Sequence, residues 1–87
     1  MTQVTLKDGF TLEVDEERLD NMELVEALSD LVEADNALAL ARVAKLALGD
    51  EAKKRLYDHF RENGRVPTRA VSDAINEIFT AVGQAKN

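Results

Sequence analysis

Few residues in the sequence combine a reactive type with a spacing that could do chemistry. Acidic side chains are the most concentrated of these, and Asp15, Glu16, Glu17 and Asp20 could offer carboxylate oxygens to a calcium ion. An EF-hand loop, however, needs oxygen ligands at alternating positions, a central glycine and a final glutamate. No window of the sequence has that order, so the sequence predicts no metal site.

Catalytic and cofactor-binding patterns are also missing from the sequence. It contains no cysteine, which excludes disulfides, thiolate catalysis and sulfur-ligated zinc. His59 is the one histidine and could act as a base, but no serine or cysteine nucleophile pattern accompanies it. The four glycines are isolated, which is typical of turns and helix ends rather than of a phosphate-binding loop. We therefore predict that the protein is not an enzyme and uses no cofactor.

The elements that position these residues must fit within one small domain, because the chain has 87 residues. Its composition is 45% hydrophobic and 32% charged, which is typical of a globular protein with a modest core. No apolar run approaches the ~20 residues that span a bilayer. The first ten residues lack the basic-then-apolar order of a signal peptide. These features predict an intracellular protein without a membrane partner.

Charge is distributed unevenly along the chain. Residues 1–36 carry eleven acidic and two basic residues, whereas residues 37–87 carry six acidic and nine basic ones. The net charge of −6 repels nucleic acid phosphates, so nucleic acid binding is disfavoured. Two interpretations remain open: a solvated acidic face, or a dipolar protein that forms a homo-oligomer or meets a basic partner.

The first elements of the chain are predicted to form a β-hairpin over residues 3–14. Apolar residues alternate with polar ones in both strands: Val4, Leu6, Phe10, Leu12 and Val14. A two-residue loop at 8–9 would put the two apolar rows on opposite faces, whereas a three-residue loop at 7–9 puts them on one face. We therefore expect the longer loop, with Gly9 at a positive φ.

Four helices are predicted after the hairpin, near residues 20–34, 37–48, 51–63 and 68–82. For the first, Asp20 and Glu23 have the spacing of a capping box, and Leu19 and Leu24 that of a hydrophobic staple. Gly83 is expected to end the last helix and to leave a loose tail at 84–87. The predicted fold class is α+β, mostly α, with the hairpin packed on about four helices in a single domain.

The predicted helix over residues 37–48 is the most apolar part of the chain. Ten of its twelve residues are apolar, all except Arg42 and Lys45. Such a helix either lies in the centre of the core or keeps an apolar strip for a partner. The residues assigned to protein binding on the second interpretation are Leu38, Leu40, Val43, Leu46 and Leu48. If they prove to be buried, binding should be sought around Lys53, Lys54 and Arg61.

Three strings of the sequence carry a family resemblance. They are DNMELVEAL at 20–28, LGDEAKKRLYDHFRENGRVP at 48–67 and AVSDAINEIF at 70–79. They resemble the small tail assembly chaperones of long-tailed bacteriophages and prophages of Gram-positive bacteria, and the resemblance covers nearly the whole chain. It contributes no catalytic residues, because this family has none.

The resemblance implies a specific function. Such chaperones act in the cytoplasm of the bacterial host, where they bind the long, helical, aggregation-prone tape measure protein. They keep it soluble while tail tube protein polymerises around it, and they are absent from the mature virion. Many are also made as a longer frameshifted product.

Two other functions are kept as alternatives. The first is a small adaptor or regulatory protein that forms a homo-oligomer through the helix over 37–48. The second and less favoured is a DNA-binding phage regulator, since residues 53–69 are locally basic. A recognition helix presents basic and polar residues to the bases, whereas the last predicted helix exposes Asp73 and Glu77.

Overall fold

The computed structural model of the protein describes residues 1–85 and contains a two-stranded sheet and three α-helices. The elements are β1 (Thr2–Thr5), β2 (Thr11–Val14), a short 3₁₀ helix (Glu16–Leu19), α1 (Met22–Val32), α2 (Ala39–Phe60) and α3 (Thr68–Ala85). The prediction of a mostly helical fold with an N-terminal antiparallel hairpin is confirmed. The expected number of four helices is wrong, because two of them are joined in α2. None of the three helices has the length and hydropathy needed to cross a bilayer.

The hairpin has the three-residue loop that the apolar alternation predicts. Val4 pairs with Leu12 in the antiparallel register, which places both side chains on the buried face. At the turn, Leu6 N–H donates to Phe10 O at 2.8 Å, and Gly9 N–H donates to Leu6 O at 2.9 Å. Gly9 has a φ of 93°, a conformation that residues with a Cβ rarely adopt. The loop length therefore follows from the need to bury both apolar rows together.

Helix α1 is capped one residue later than the sequence predicts. Asn21 has an extended conformation, and its side chain accepts a hydrogen bond from Glu23 N–H at 3.0 Å. Asp20 instead closes the preceding 3₁₀ helix, where its N–H donates to Glu17 O at 3.2 Å. The assignment of the cap to Asp20 was wrong because the 3₁₀ turn extends through Leu19 and takes Asp20 as its own end.

Asn21→Ala is expected to reduce the free energy of unfolding by about 0.5–2 kcal/mol, because Glu23 N–H loses its only capping partner. Asp20→Ala is the control, since the side chain of Asp20 makes no capping hydrogen bond to α1. Chemical denaturation of both variants measures the difference. A larger loss of unfolding free energy in Asp20→Ala than in Asn21→Ala would show that Asp20 caps α1, as the sequence predicts.

Helix α2 combines the predicted helices 37–48 and 51–63 into one kinked element. Gly49 is the kink, with φ 80° and ψ 170° inside an otherwise helical run. The sequence predicted a stop at this glycine, and the backbone does leave the helical conformation there. The predicted end at Gly83 is wrong, because α3 continues through it to Ala85. Of the predicted loose tail, 84–85 belong to this helix, and 86–87 lie outside the described residues.

The core lies between the hairpin and the three helices. Its largest fully buried side chains include Leu12 from β2, Leu24 from α1, Leu56 from α2 and Ile78 from α3. Strand β2 and helix α1 pack against α2, whereas β1 packs against α3. Helix α2 therefore contacts the hairpin, the 3₁₀ helix and both other α-helices.

The turn of the hairpin is fixed to both long helices by side chains. His59 on α2 donates a hydrogen bond to the Asp8 carboxylate at 2.7 Å, and its ring stacks on Phe10 with the centroids 4.0 Å apart. This hydrogen bond lowers the pKa of Asp8. Lys7 N–H donates to the carboxylate of Glu77 on α3 at 2.9 Å. His59 thus has contacts that account for it structurally.

Candidate protein-binding site

The five residues predicted to bind a partner do not form one exposed strip. Leu40 and Leu48 are 6% exposed and Val43 is 0% exposed, so all three belong to the core. Leu46 is half-buried against the core, and only Leu38 is largely exposed, at 87%. The expected apolar strip is therefore not exposed as a whole. Most of the residues assigned to it are buried, and Leu38 remains exposed beside the start of α2.

Leu38 lies at an apolar groove between the start of α2, its last turns and the start of α3. The residues that line the groove are Ala37, Leu38, Leu40, Ala41, Tyr57, Val66, Thr68 and Val71. Its cavity volume is about 240 Å³. Only the hydroxyl groups of Tyr57 and Thr68 bring polar side-chain atoms to this lining. The groove therefore offers an apolar surface open to solvent.

The connection between α1 and α2 presents Leu38 at one side of the groove. Asp35 has a φ of 53°, which turns the chain after α1. The side chain of Asn36 then accepts a hydrogen bond from Leu38 N–H at 3.2 Å. The backbone carbonyl of Asn36 accepts another from Ala39 N–H at 3.0 Å. Asn36 thus satisfies the first amides of the turn. Because the backbone at Leu38 is held in this turn, its side chain is directed to solvent.

A tight turn before α3 positions the opposite side of the groove. Glu62 and Arg65 exchange backbone hydrogen bonds of 2.9 and 3.1 Å. Asn63 and Gly64 between them both have positive φ, 54° and 80°. The turn directs the chain back so that Val66 is half-buried against the core and lines the groove.

Basic residues lie close to Tyr57 along the chain, and one of them contacts its ring. Lys53 Nζ lies 5.6 Å from the centroid of the Tyr57 ring, within the range of a cation–π interaction. Asp58 forms ion pairs with Lys54 at 2.8 Å and Arg61 at 2.5 Å. The pKa of the Asp58 carboxyl is lowered by its hydrogen bonds from Lys54 and from Arg61. Of Lys53, Lys54 and Arg61, which the sequence indicates as the second candidate surface, Lys53 thus contacts a residue of the groove lining.

A second set of exposed apolar residues lies on α1. Met22, Val25 and Val32 are 69%, 50% and 72% exposed. In the sequence, Leu24, Val25 and Val32 have the spacing of one apolar stripe on a helix. The structure divides the stripe, because Leu24 packs in the core while the two valines lie on the outer side.

No protein-family model, curated protein or solved structure matches the chain. The resemblance to tail assembly chaperones therefore stays a prediction from the sequence strings.

Within residues 1–85, no three histidine, cysteine, aspartate or glutamate side chains are grouped so that they could hold a metal ion. The groove presents apolar side chains, with the cationic side chain of Lys53 beside its Tyr57.

Sequence reasoning did not name Tyr57, Val66 or Val71 as residues of the site. Tyr57 and Val71 fit the apolar periodicity of their own helices. Their periodicity identifies a buried face but does not show that the neighbouring elements leave a gap beside it. Only the relative placement of α2 and α3 brings these three residues to one groove.

Proposed function

We propose that the protein is an assembly chaperone that binds an apolar helical segment of a long client protein in the groove at Leu38. By the resemblance, the client is the tape measure protein of a long-tailed phage. The observation that supports a binding role most directly is Leu38, which is 87% exposed beside an apolar groove. A large apolar side chain exposed at a cavity is typical of a surface that contacts a partner.

The dimensions of the groove favour side chains of a protein over a small molecule. Small-molecule sites have volumes of about 300–1,000 Å³ and bury most of their ligand. The groove has about 240 Å³ and is lined mostly by apolar residues, so it suits a few apolar side chains. An amphipathic helix inserts side chains at a spacing of three or four residues into such a groove. A long helical client offers many segments of this kind.

The acidic surface of the first half of the chain fits the same role. Glu23, Glu26 and Asp30 are exposed on α1, and Glu33 and Asp35 follow it. Their negative charge favours solubility of a complex whose client is prone to aggregate. In the proposed function the protein holds the client in the host cytoplasm, tail tube protein replaces it, and the chaperone is left out of the virion.

Leu38→Asp is the test of the proposed function. The variant is expected to lose the ability to keep a co-expressed tape measure protein in the soluble fraction, because a carboxylate at the groove must be desolvated on binding. The fold should persist, since Leu38 makes few packing contacts and an acid in the first turn of a helix is favourable. Circular dichroism checks the fold, and the soluble fraction of the client measures the function.

Met22→Asp is the matched control. Met22 is 69% exposed in the first turn of α1, so the substitution has the same chemistry at an apolar residue away from the groove. We expect this variant to keep the client soluble. Equal solubility of the client with both variants would contradict the groove as the binding site. Failure of the unchanged protein to keep the client soluble would contradict the proposed function itself.

A further inference from the structure

We propose that the groove selects an amphipathic helix whose apolar stripe is flanked by acidic residues. This inference rests on the proposed function, since it concerns the same groove, and it specifies the chemistry of the client segment. It follows from the charges at the rim of the groove, which differ from the charge of the whole chain.

The rim on the α2 side is built by helical spacing. Lys53 and Tyr57 lie four residues apart on one face of α2, and Arg61 follows Tyr57 at the same interval as the residue that ends the helix. Tyr57 lines the groove, so a cationic side chain lies one turn before it and another one turn after it. Lys53 reaches the groove lining, because its Nζ contacts the Tyr57 ring.

The turn before α3 adds a third cation. Arg65 directly precedes Val66, which lines the groove, and its side chain is exposed. Within the part of the chain that the structure describes, neither Lys53 nor Arg65 forms an ion pair. Their charges are therefore available to a partner.

Acidic residues near this rim do not neutralise it. The carboxylate of Asp58 is shared by Lys54 and Arg61, so one negative charge faces two positive ones. Glu62 lies in the same turn as Arg65, and its backbone pairs with that residue. Arg55 is not counted with these residues, because its guanidinium donates to Thr11 O in the hairpin. Without Arg55, residues 53–65 contain four cationic and two acidic side chains.

The charge of the whole chain makes the opposite prediction. A net charge of −6 favours a basic partner at long range. At physiological salt, however, charges are screened beyond about 8 Å, so the rim determines the preference of a helix seated in the groove. The two predictions differ in sign, which allows a single comparison to decide between them.

The experiment compares two synthetic helical peptides with the same leucine stripe, one flanked by glutamate and the other by lysine. Fluorescence anisotropy measures their Kd for the full chain at physiological salt. We expect the glutamate peptide to bind at least about tenfold more tightly, and the preference to decrease as salt is raised. Lys53→Glu should reduce or invert the preference. Lys45→Glu makes the same charge change on α2 beside a different cavity, so it should leave the preference unchanged.

The other outcomes distinguish a failure of the inference from a failure of the proposed function. Equal affinities, with no effect of Lys53→Glu, would show a groove that selects apolar contact alone and would leave the proposed function standing. Tighter binding of the lysine peptide would show that the charge of the whole chain decides. If neither peptide binds, while Leu38→Asp still keeps the tape measure protein soluble, the groove itself is the wrong site. If the glutamate peptide binds as expected but the client stays insoluble, the inference stands and the proposed function fails.

Discussion

Gly49→Ala is expected to lower the free energy of unfolding by about 1–3 kcal/mol, the cost of placing a residue with a Cβ in a backbone region that is nearly exclusive to glycine. Gly49 has φ 80° and ψ 170° at the kink of α2. A domain of this size loses roughly 4–8 °C in Tm for each kcal/mol. Thermal unfolding followed by circular dichroism is therefore sensitive enough to measure the effect.

A second cause acts at the same position. A Cβ on Gly49 would lie 2.7 Å from Cζ of Arg18, whose guanidinium covers the kink. The end of an arginine side chain can move, so this clash is the smaller of the two costs. Combining Gly49→Ala with Arg18→Ala separates them, because the double variant keeps the backbone cost and removes the clash. We expect the larger part of the loss to remain in the double variant.

Gly83→Ala is the control for these variants. Gly83 lies within α3, is exposed, and has no atom within 4 Å of the position a Cβ would occupy. Alanine in a helical position should stabilise the protein by about 0.4–1 kcal/mol, because it restricts the unfolded chain. The same substitution thus has opposite signs at the two glycines. A gain in stability from Gly49→Ala would contradict the strained kink.

The two glycines also show what the sequence could predict. An isolated glycine after an apolar helical run indicates a helix end, and at Gly49 the backbone does leave the helix. The same signal failed at Gly83, where α3 continues to Ala85. The difference is that Gly49 is a buried kink covered by Arg18, whereas Gly83 has open space around it. Local sequence does not contain that contact, so it could not distinguish the two cases.

The hairpin loop could be predicted from local sequence, whereas the groove could not. The apolar side chains of both strands must lie on one face of the hairpin, and this local constraint predicts the loop length correctly. These side chains are Val4, Leu6, Phe10 and Leu12. The groove depends on a gap between α2 and α3, which no periodicity reports. The apolar composition of the region 37–48 left central burial and an exposed strip both open, and it did not indicate which leucine would be exposed.

Leu48→Ala is expected to reduce the free energy of unfolding by about 2–5 kcal/mol, the usual cost of truncating a buried leucine. The side chain of Leu48 is 6% exposed and belongs to the core beside the kink. Truncation removes its apolar contacts and leaves a cavity that surrounding side chains fill only in part. Denaturant unfolding measures the loss.

Leu38→Ala is the matched control on the same helix. Leu38 is 87% exposed, so the same truncation should change stability by no more than about 0.5 kcal/mol. The sequence had assigned both leucines to one binding strip, and this pair of variants tests their separation into a core residue and a surface residue. Equal and small losses would mean that Leu48 is accessible in solution and that the strip exists as the sequence predicted. A large loss at Leu48 alone leaves Leu38 as the residue of that strip that can contact a partner without unfolding the protein.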